Sequence, residues 1–465
     1  MILIYGAMIV GEDENGPYLV EPGYVGIQNN TIAYVGTEKP KGYESAELIK
    51  AANGLVIPGL IDLHYHADSP MTKGFVEDEG SPHFGGSGLY EYFPEIYAAT
   101  EEEDWIALTR LTLAEMVRGG VTTCVEFNSY FPEDLAILLG EMGMRGYISP
   151  EVNSLKLYPY SEDGLHIIIE EETPDRAFHK LERNLSLIEK INEKNPEGLV
   201  FVTLGPTEPP ACNAELLKQV RQYANQMQVP ITMHAAETQW EVQYIRERYH
   251  CTSIEFLDSC GVTGPDVILG HAIFTTPGDV QRLAQTRTSV AHCPTIFARK
   301  GVLLRSLQKY LDAGINVGIG TDTFPQDMIR EMRMANLCCR VADQDYRCGS
   351  SIEVFKCATT RGAQALGRTD LGRIRVGAKA DIAIVNMADL NMVPVRDPIK
   401  VLVSCGCSMN VETTIINGKV IMLNRQLLRS PWEEIVESAQ MAAKRVWQKA
   451  KRLDNLSPYS IRRMP

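Results

Sequence analysis

The residues with the clearest chemical promise are histidines and carboxylates at the ends of short apolar runs. His64 and His66 close the run VIPGLIDLHYH. On a strand, residues i and i+2 share a face, so both imidazoles can reach one ion. Taken alone, an HxH pair is also satisfied by two polar strand-end residues. His234 lies in ITMHAAE with Glu237 three residues on, an arrangement that supplies a third ligand and a general base together. Taken alone, His234 fits a core histidine equally well. Asp322, in NVGIGTDT, offers a hard oxygen donor at another run end. Three imidazoles and one carboxylate suit Zn2+, with Fe2+ or Co2+ also compatible. Such an ion lowers the pKa of its water towards neutrality and supplies a nucleophile at pH 7. Five of the nine histidines (64, 66, 234, 271 and 292) fall at such run ends, and this clustering favours the joint metal reading.

The elements that would position these residues form a repeating pattern. Eight apolar runs follow one another: VIPGLIDLHYH, VTTCVEF, GYISPEV, LVFVTLGPT, PITMHAAE, DVILGHA, TSVAHCP and NVGIGTD. Amphipathic stretches such as TEEEDWIALTRLTLAEMVRGG and NAELLKQVRQYANQMQ separate them. Alternation of this kind predicts an α/β fold, a (β/α)8 barrel of the TIM type over 57–371. An open sheet of nine or ten strands is the alternative. It is disfavoured because polar residues recur at the C-terminal run ends, which converge on one mouth in a barrel. Besides the histidines, Glu126, Thr207, Glu208, Glu237 and Asp322 stand at or near such ends. The insertion 71–100, with its FGGSG stretch, reads as a lid over the mouth. Tyr90 and Tyr92 within it fit core or surface positions better than a pocket wall, and His83 fits a solvated loop.

Both ends of the chain have a different texture. MILIYGAMIV and YVGIQNNTIAYVG alternate like antiparallel strands with an Asn-Asn turn, and ADIAIVNM and ETTIINGKVIML resume the pattern near the end. These flanks, 1–56 and 372–425, are expected to form a small composite β-sandwich, with 426–465 as a helical extension.

PGLIDLHYH, HAAE, LGHA and GIGTD, in this order, resemble the amidohydrolase superfamily, and most closely its nucleobase, adenosyl-homocysteine and triazine aminohydrolases. LGRIRVGAKADIAIVN and VETTIINGKVI resemble the C-terminal part of the sandwich that accompanies the barrel there. The resemblance implies His64, His66, His234 and Asp322 as metal ligands and Glu237 as the proton-shuttling acid/base. It implies His271 as the residue orienting substrate or water. Binuclear members carry a carboxylated lysine at the fourth strand. LVFVTLGPTEPP has none and Lys156 is the one nearby substitute, so a single divalent ion, Zn2+ before Fe2+ or Co2+, is expected. By this likeness, Asp322 accepts the proton of water and Glu237 delivers one to a ring nitrogen or leaving group. The metal and His271 polarise the C=N or C=O under attack.

The implied activity is an aminohydrolase, a deaminase of an N-heterocyclic small molecule. The alternatives are loss of a chloride, amine or thioether from a ring, or cleavage of an acyclic amide, urea or carbamate. TDTFPQDM and GPTEPP depart from the sequences usual in these deaminases and leave the substrate open. Glu208 is either a contact for an amino-substituted ring or a plain loop carboxylate, and His292 either a substrate contact or a structural donor. A non-catalytic scaffold is disfavoured because every ligand and Glu237 are present. Phosphate-cradling glycine loops and the H-x-E with P-C-x-x-C deaminase pattern are absent.

A net charge of −14 opposes nucleic acid or anionic membrane as partner, and no apolar stretch is long enough to span a bilayer. The basic run KRVWQKAKR (444–452) reads as a solvated helix face. MILIYGAMIVGEDENG lacks a basic n-region and a small-residue cleavage site. Eleven cysteines without a CxxC pair read as reduced thiols rather than a zinc site. The expectation is a cytoplasmic enzyme and a homo-oligomer, a dimer or tetramer.

Overall fold

In a computed structural model the protein is described over residues 1–73, 95–156, 170–171, 174–195, 197–302 and 307–450. The β-branched, alternating N-terminal segments form β1 (Ile2–Asp13), β2 (Gly16–Gln28), β3 (Thr31–Gly36), β4 (Glu47–Lys50) and β5 (Gly54–Pro58). Each of the eight apolar runs then contributes a strand to a parallel ladder. These are β6 (Leu60–Tyr65), β7 (Val121–Ser129), β8 (Arg145–Val152), β9 (Val200–Val202), β10 (Ile231–Ala235), β11 (Val267–His271), β12 (Ser289–His292) and β13 (Val317–Ile319). The chain returns to alternating texture in β14 (Ile382–Asn386), β15 (Val411–Ile416), β16 (Lys419–Leu423) and β17 (Gln426–Leu427).

Both chain ends build one nine-stranded sheet, in the order β17-β16-β15-β14-β5-β1-β2-β3, with β4 alongside β1. The seam is the antiparallel pair β5–β14, where Val56 faces Ile384. Ile4, Ile9, Val25, Ile27, Val56, Ile382 and Ile415 form its apolar face. The expected turn at Asn29–Asn30 is present, with Asn29 at φ 54°, and a second lies at Asn417–Gly418 with φ 52° and 75°. A Cβ at Gly418 would lie 2.0 Å from the Asn29 carbonyl oxygen, so the two turns meet only because this position is glycine.

β6 to β9 form one parallel sheet in sequence order, and β10 to β13 another. Backbone hydrogen bonds link them at both edges. His66 N and Asp322 N bond Asp322 O and His64 O, each at 2.9 Å, and Thr232 N bonds Leu204 O at 3.0 Å. Helices separate the strands. Glu102–Arg118 is entered through a capping box between Glu101 and Asp104, and Ala214–Met227 through Asn213, whose side chain accepts from Leu216 N. Ile61, Leu63, Val125, Phe127, Tyr147, Ile268 and Ala291 pack together inside the strands. Tyr65 and Cys124 belong to the larger core between strands and helices.

Two expectations change. VIPGLIDLHYH reads as one strand but is two, in different sheets, broken at Gly59. A Cβ there would lie 2.1 Å from Thr122 Oγ1, so close approach of β7 sets the break. The run at 444–452 is only partly a solvated face. Ala442, Ala443 and Val446 of the helix Trp432–Lys449 are buried, Arg445 Nε bonds the buried Asp104 at 2.7 Å, and Trp447 Nε1 bonds Met71 O at 3.0 Å. Residues 451–452 lie outside the described part, as do 74–94 of the insertion, including His83, Tyr90 and Tyr92, and the side chain of Lys156.

Candidate metal and active site

Strand ends carry the site, and four of them hold non-glycine residues in the left-handed region next to it, five residues in all: Asn128 (φ 58°), Ala236 (49°), His271 (74°), Ala272 (48°) and Asp322 (61°). Such a backbone costs energy and is held by its surroundings. The end of β6 and the residue after it bring His64 and His66 into the cluster, where the register with β7 is irregular between Asp62 and Tyr65. His64 is fully buried and His66 half-buried. The ring centroids of His64 lie 5.1 Å from His66, 5.0 Å from His234 and 4.7 Å from His271. One ligand atom from each of His64, His66 and His234 falls within 4.8 Å of the others. Asp322 joins through His64 and His271, with Oδ2 3.6 Å from Nε2 of each.

These donors fit a divalent ion. His66 Nδ1 bonds Phe127 O at 3.0 Å and His234 Nδ1 bonds Thr207 O at 3.0 Å, which leaves the other nitrogen of each ring for an ion. Neither ring nitrogen of the buried His64 has a hydrogen-bond partner. A buried polar group left in that state costs about 1–3 kcal/mol, a cost that coordination removes. Burial pushes His64 well below the usual histidine range and His234 down to about 4, so both are neutral near pH 7, as ligands must be. Burial would raise the Asp322 carboxyl, but the closeness of His64, with His271 and His66, outweighs it and holds Asp322 well below the usual carboxylate range.

Glu237 lies beside this cluster, with Oε2 3.7 Å from His271 Nε2 and Oε1 3.2 Å from Lys300 Nζ. Burial would raise its carboxyl, but His271, Lys300 and His234 together hold it below the usual range. It is a buried carboxylate able to take up a proton. His271 is itself pushed down by burial, against the pull of Glu237 and Asp322, and its ring meets that of Phe297 edge-on at 5.0 Å.

The other singled-out residues divide. His292 is buried beside His271 and pushed down to about 4 by burial. Glu208 is half-buried, and its charge is felt by Tyr130 and Cys212. Thr207 turns its hydroxyl to Val152 O at 3.2 Å and serves the site through its carbonyl. Glu126 does not face the cluster. It follows Val125 and precedes Phe127, both inside, so alternation turns it outward near Tyr65, Asp68 and Ser129.

The structure adds residues that spacing did not single out. Asp62 accepts from Thr321 N at 3.0 Å and Thr321 Oγ1 at 2.5 Å, tying β6 to the residue before Asp322. Its place two residues before His64 was a readable signal. Asn128 Nδ2 stands 3.3 Å from His234 Nδ1, and Cys293 brings a thiol within 4.8 Å of donors on His64, His271 and Asp322. Lys300 carries no such signal, since it comes from the loop after the helix Pro294–Arg299.

Residues 55–421 match the amidohydrolase family. The chain is 31% identical over 441 residues to the 5-methylthioadenosine/S-adenosylhomocysteine deaminase of Pyrococcus furiosus, covering 94% of this chain and 98% of that protein. A zinc-bound adenosine deaminase from Xanthomonas campestris shares the fold with a TM-score of 0.85 at 24% identity, over 96% of this chain and 98% of that one. A zinc-bound atrazine chlorohydrolase from Arthrobacter aurescens has a TM-score of 0.84 at 25% identity, over 95% and 100%. The chain belongs to the amidohydrolase family.

Proposed function

We propose that this chain is a metal-dependent aminohydrolase that deaminates an N-heterocycle of the adenosine type, using one divalent ion held by His64, His66, His234 and Asp322. The observation that carries the reading is the convergence of these donors beside a buried, ionised Glu237. The likeness in sequence to a 5-methylthioadenosine/S-adenosylhomocysteine deaminase along 94% of the chain supports the substrate class. The zinc in two neighbours of the same fold supports zinc as the ion.

The ion, when bound, supplies Lewis-acid activation of a water. Glu237, ionised beside the donors, would carry a proton from the attacking water to the ring nitrogen of the substrate. His271, neutral and within 3.7 Å of both Glu237 and Asp322, orients water and the group under attack. Ammonia then leaves. Phe297 and His292 wall the His271 side, and Lys300 keeps Glu237 turned inward.

The same reading takes the eight parallel strands as one closed (β/α)8 barrel, 57–371, supported by the edge bonds at Asp322 and Leu204. It takes 1–56 with 372–425 as a composite β-sandwich and 426–465 as a helical extension, supported by the sheet shared between the chain ends. Among the described residues no helix is long and apolar enough to cross a membrane. Cytoplasmic residence is part of the proposal, supported by eleven cysteines that all stand as free thiols.

The test is an ammonia-release assay on the zinc-loaded protein with 5-methylthioadenosine, S-adenosylhomocysteine and adenosine, paired with elemental analysis. Ammonia from one of them with close to one ion per chain is expected. Full metal content with no ammonia, but chloride or amine released from a substituted triazine, would replace deamination with the alternative leaving-group chemistry.

A further inference from the structure

The chain turns sharply between β10 and the helix Gln239–Tyr249, and that turn carries Glu237. Ala236 has φ 49°, and its carbonyl oxygen accepts from Ile273 N at 2.9 Å and Phe274 N at 2.8 Å. On its other side the turn meets Glu241. This side chain is fully buried, with Oε1 accepting from Ala236 N at 2.6 Å and Oε2 from Glu237 N at 2.8 Å. A carboxylate accepting two successive amides fixes the peptide plane between them.

The local sequence points elsewhere. Thr238-Gln239-Trp240-Glu241 is a T-x-x-E pattern, in which the glutamate ordinarily returns to the backbone N–H of the threonine. Thr238 does its part, accepting from Glu241 N at 3.0 Å. The Glu241 carboxylate, however, reaches past Thr238 to the two preceding residues. Helix capping alone does not require that reach, whereas aiming Glu237 does. With its Cα fixed from both sides, Glu237 extends to His271 and Lys300.

We propose that Glu241 is a positioning residue for the reaction, a clamp that sets the direction of Glu237 and so governs turnover without touching substrate or metal. The inference rests on the reading of Glu237 as proton carrier. In Glu241→Gln one acceptor becomes an NH2 donor facing an amide N–H, so one of the two bonds is replaced by repulsion. Misplacement of a catalytic group by about 1 Å costs on the order of a hundredfold in rate.

The experiment uses zinc-loaded full-length protein and 5-methylthioadenosine. Glu241→Gln is expected to lower kcat about 10- to 100-fold. KM should stay within about twofold, since the loss falls on the transition state rather than on binding. Zinc content should stay at wild type, and amide exchange across 235–238 should speed up. Glu241→Asp keeps the carboxyl group but is a methylene shorter, and should fall between the two. In a Glu237→Gln background Glu241→Gln should cause no further loss of kcat, because the clamp acts only through Glu237. An additive loss, or lost zinc, overturns the proposal. Unchanged exchange across 235–238 in Glu241→Gln overturns it whatever the substrate proves to be. If Glu241→Gln does not fold, Glu241→Asp with full kcat and wild-type exchange overturns it equally. A fully active Glu237→Gln protein instead removes the functional reading beneath it.

Discussion

Glu237 and His234 stand three residues apart and answer to different tests. Glu237 stands with His234 and His271, and against Lys300, but not with His64 and His66, so Glu237→Gln should keep its metal. It should lose about 10²–10⁴ in kcat, the worth of a positioned proton-transfer group. Wild-type turnover, or loss of the ion, would show that another residue carries the proton or that Glu237 is a ligand. His234→Ala removes a ligand at a strand end, away from the packed interior. Metal and activity should disappear together while circular dichroism stays native. Loss of the folded signal would make His234 a core histidine instead. His64 was readable from its HxH spacing, and its two orphaned ring nitrogens give that spacing physical weight. Lys300 was not readable, because nothing local ties a lysine after β12 to a glutamate after β10.

At the scale of elements, helix starts hold the site loops. Glu331, in the first turn of the helix Met328–Asp343, accepts from Thr295 N at 2.9 Å and from its hydroxyl, and so anchors the helix that leads into Lys300. Burial raises its carboxyl from an ordinary 4.5 to about 8, against the pull of those bonds. The folded state therefore holds a proton that the unfolded chain has released between these values. Linkage then makes this group's contribution fall as pH rises from about 5 to about 8, and flatten below and above. Glu331→Gln does not titrate, so its stability relative to wild type should improve across that window in denaturant unfolding at a series of pH values. A difference that is flat with pH would mean that Glu331 is ionised in the folded protein. The eight apolar runs were legible as strands because each is short, apolar and bounded by turn residues. Inward and outward faces were not, as Glu126 shows. A run end fixes where a residue stands along a strand, and only the register with neighbours fixes the face it takes.

The whole molecule is held together at a junction that no motif announced. Arg145, at the start of β8, donates through Nε to Asp381 at 3.0 Å, and both are almost fully buried. Asp381 also accepts from Asn417 N at 2.7 Å, and its backbone oxygen accepts from Gly59 N at 2.8 Å. One carboxylate thus binds the parallel strands to the sheet made by the chain ends. Arg145→Ala leaves that charge buried and uncompensated, and should cost about 3–5 kcal/mol in chemical denaturation. The double change Arg145→Met with Asp381→Leu removes both charges and should cost less than either single change. A double change as costly as the sum would show that the pair does not act as a unit. What the sequence determined by itself was local: the strand-forming runs, the turn at Asn29, and the donors at the run ends. Strand and helix geometry depends on neighbours a few residues apart, so spacing is enough to specify it. The tertiary structure decided what meets across hundreds of residues. It brought His64 to Asp322, Lys300 to Glu237, Arg145 to Asp381, and β5 to β14. Those meetings depend on long-range packing of apolar faces, which are interchangeable in sequence and become specific only when the chain closes on itself.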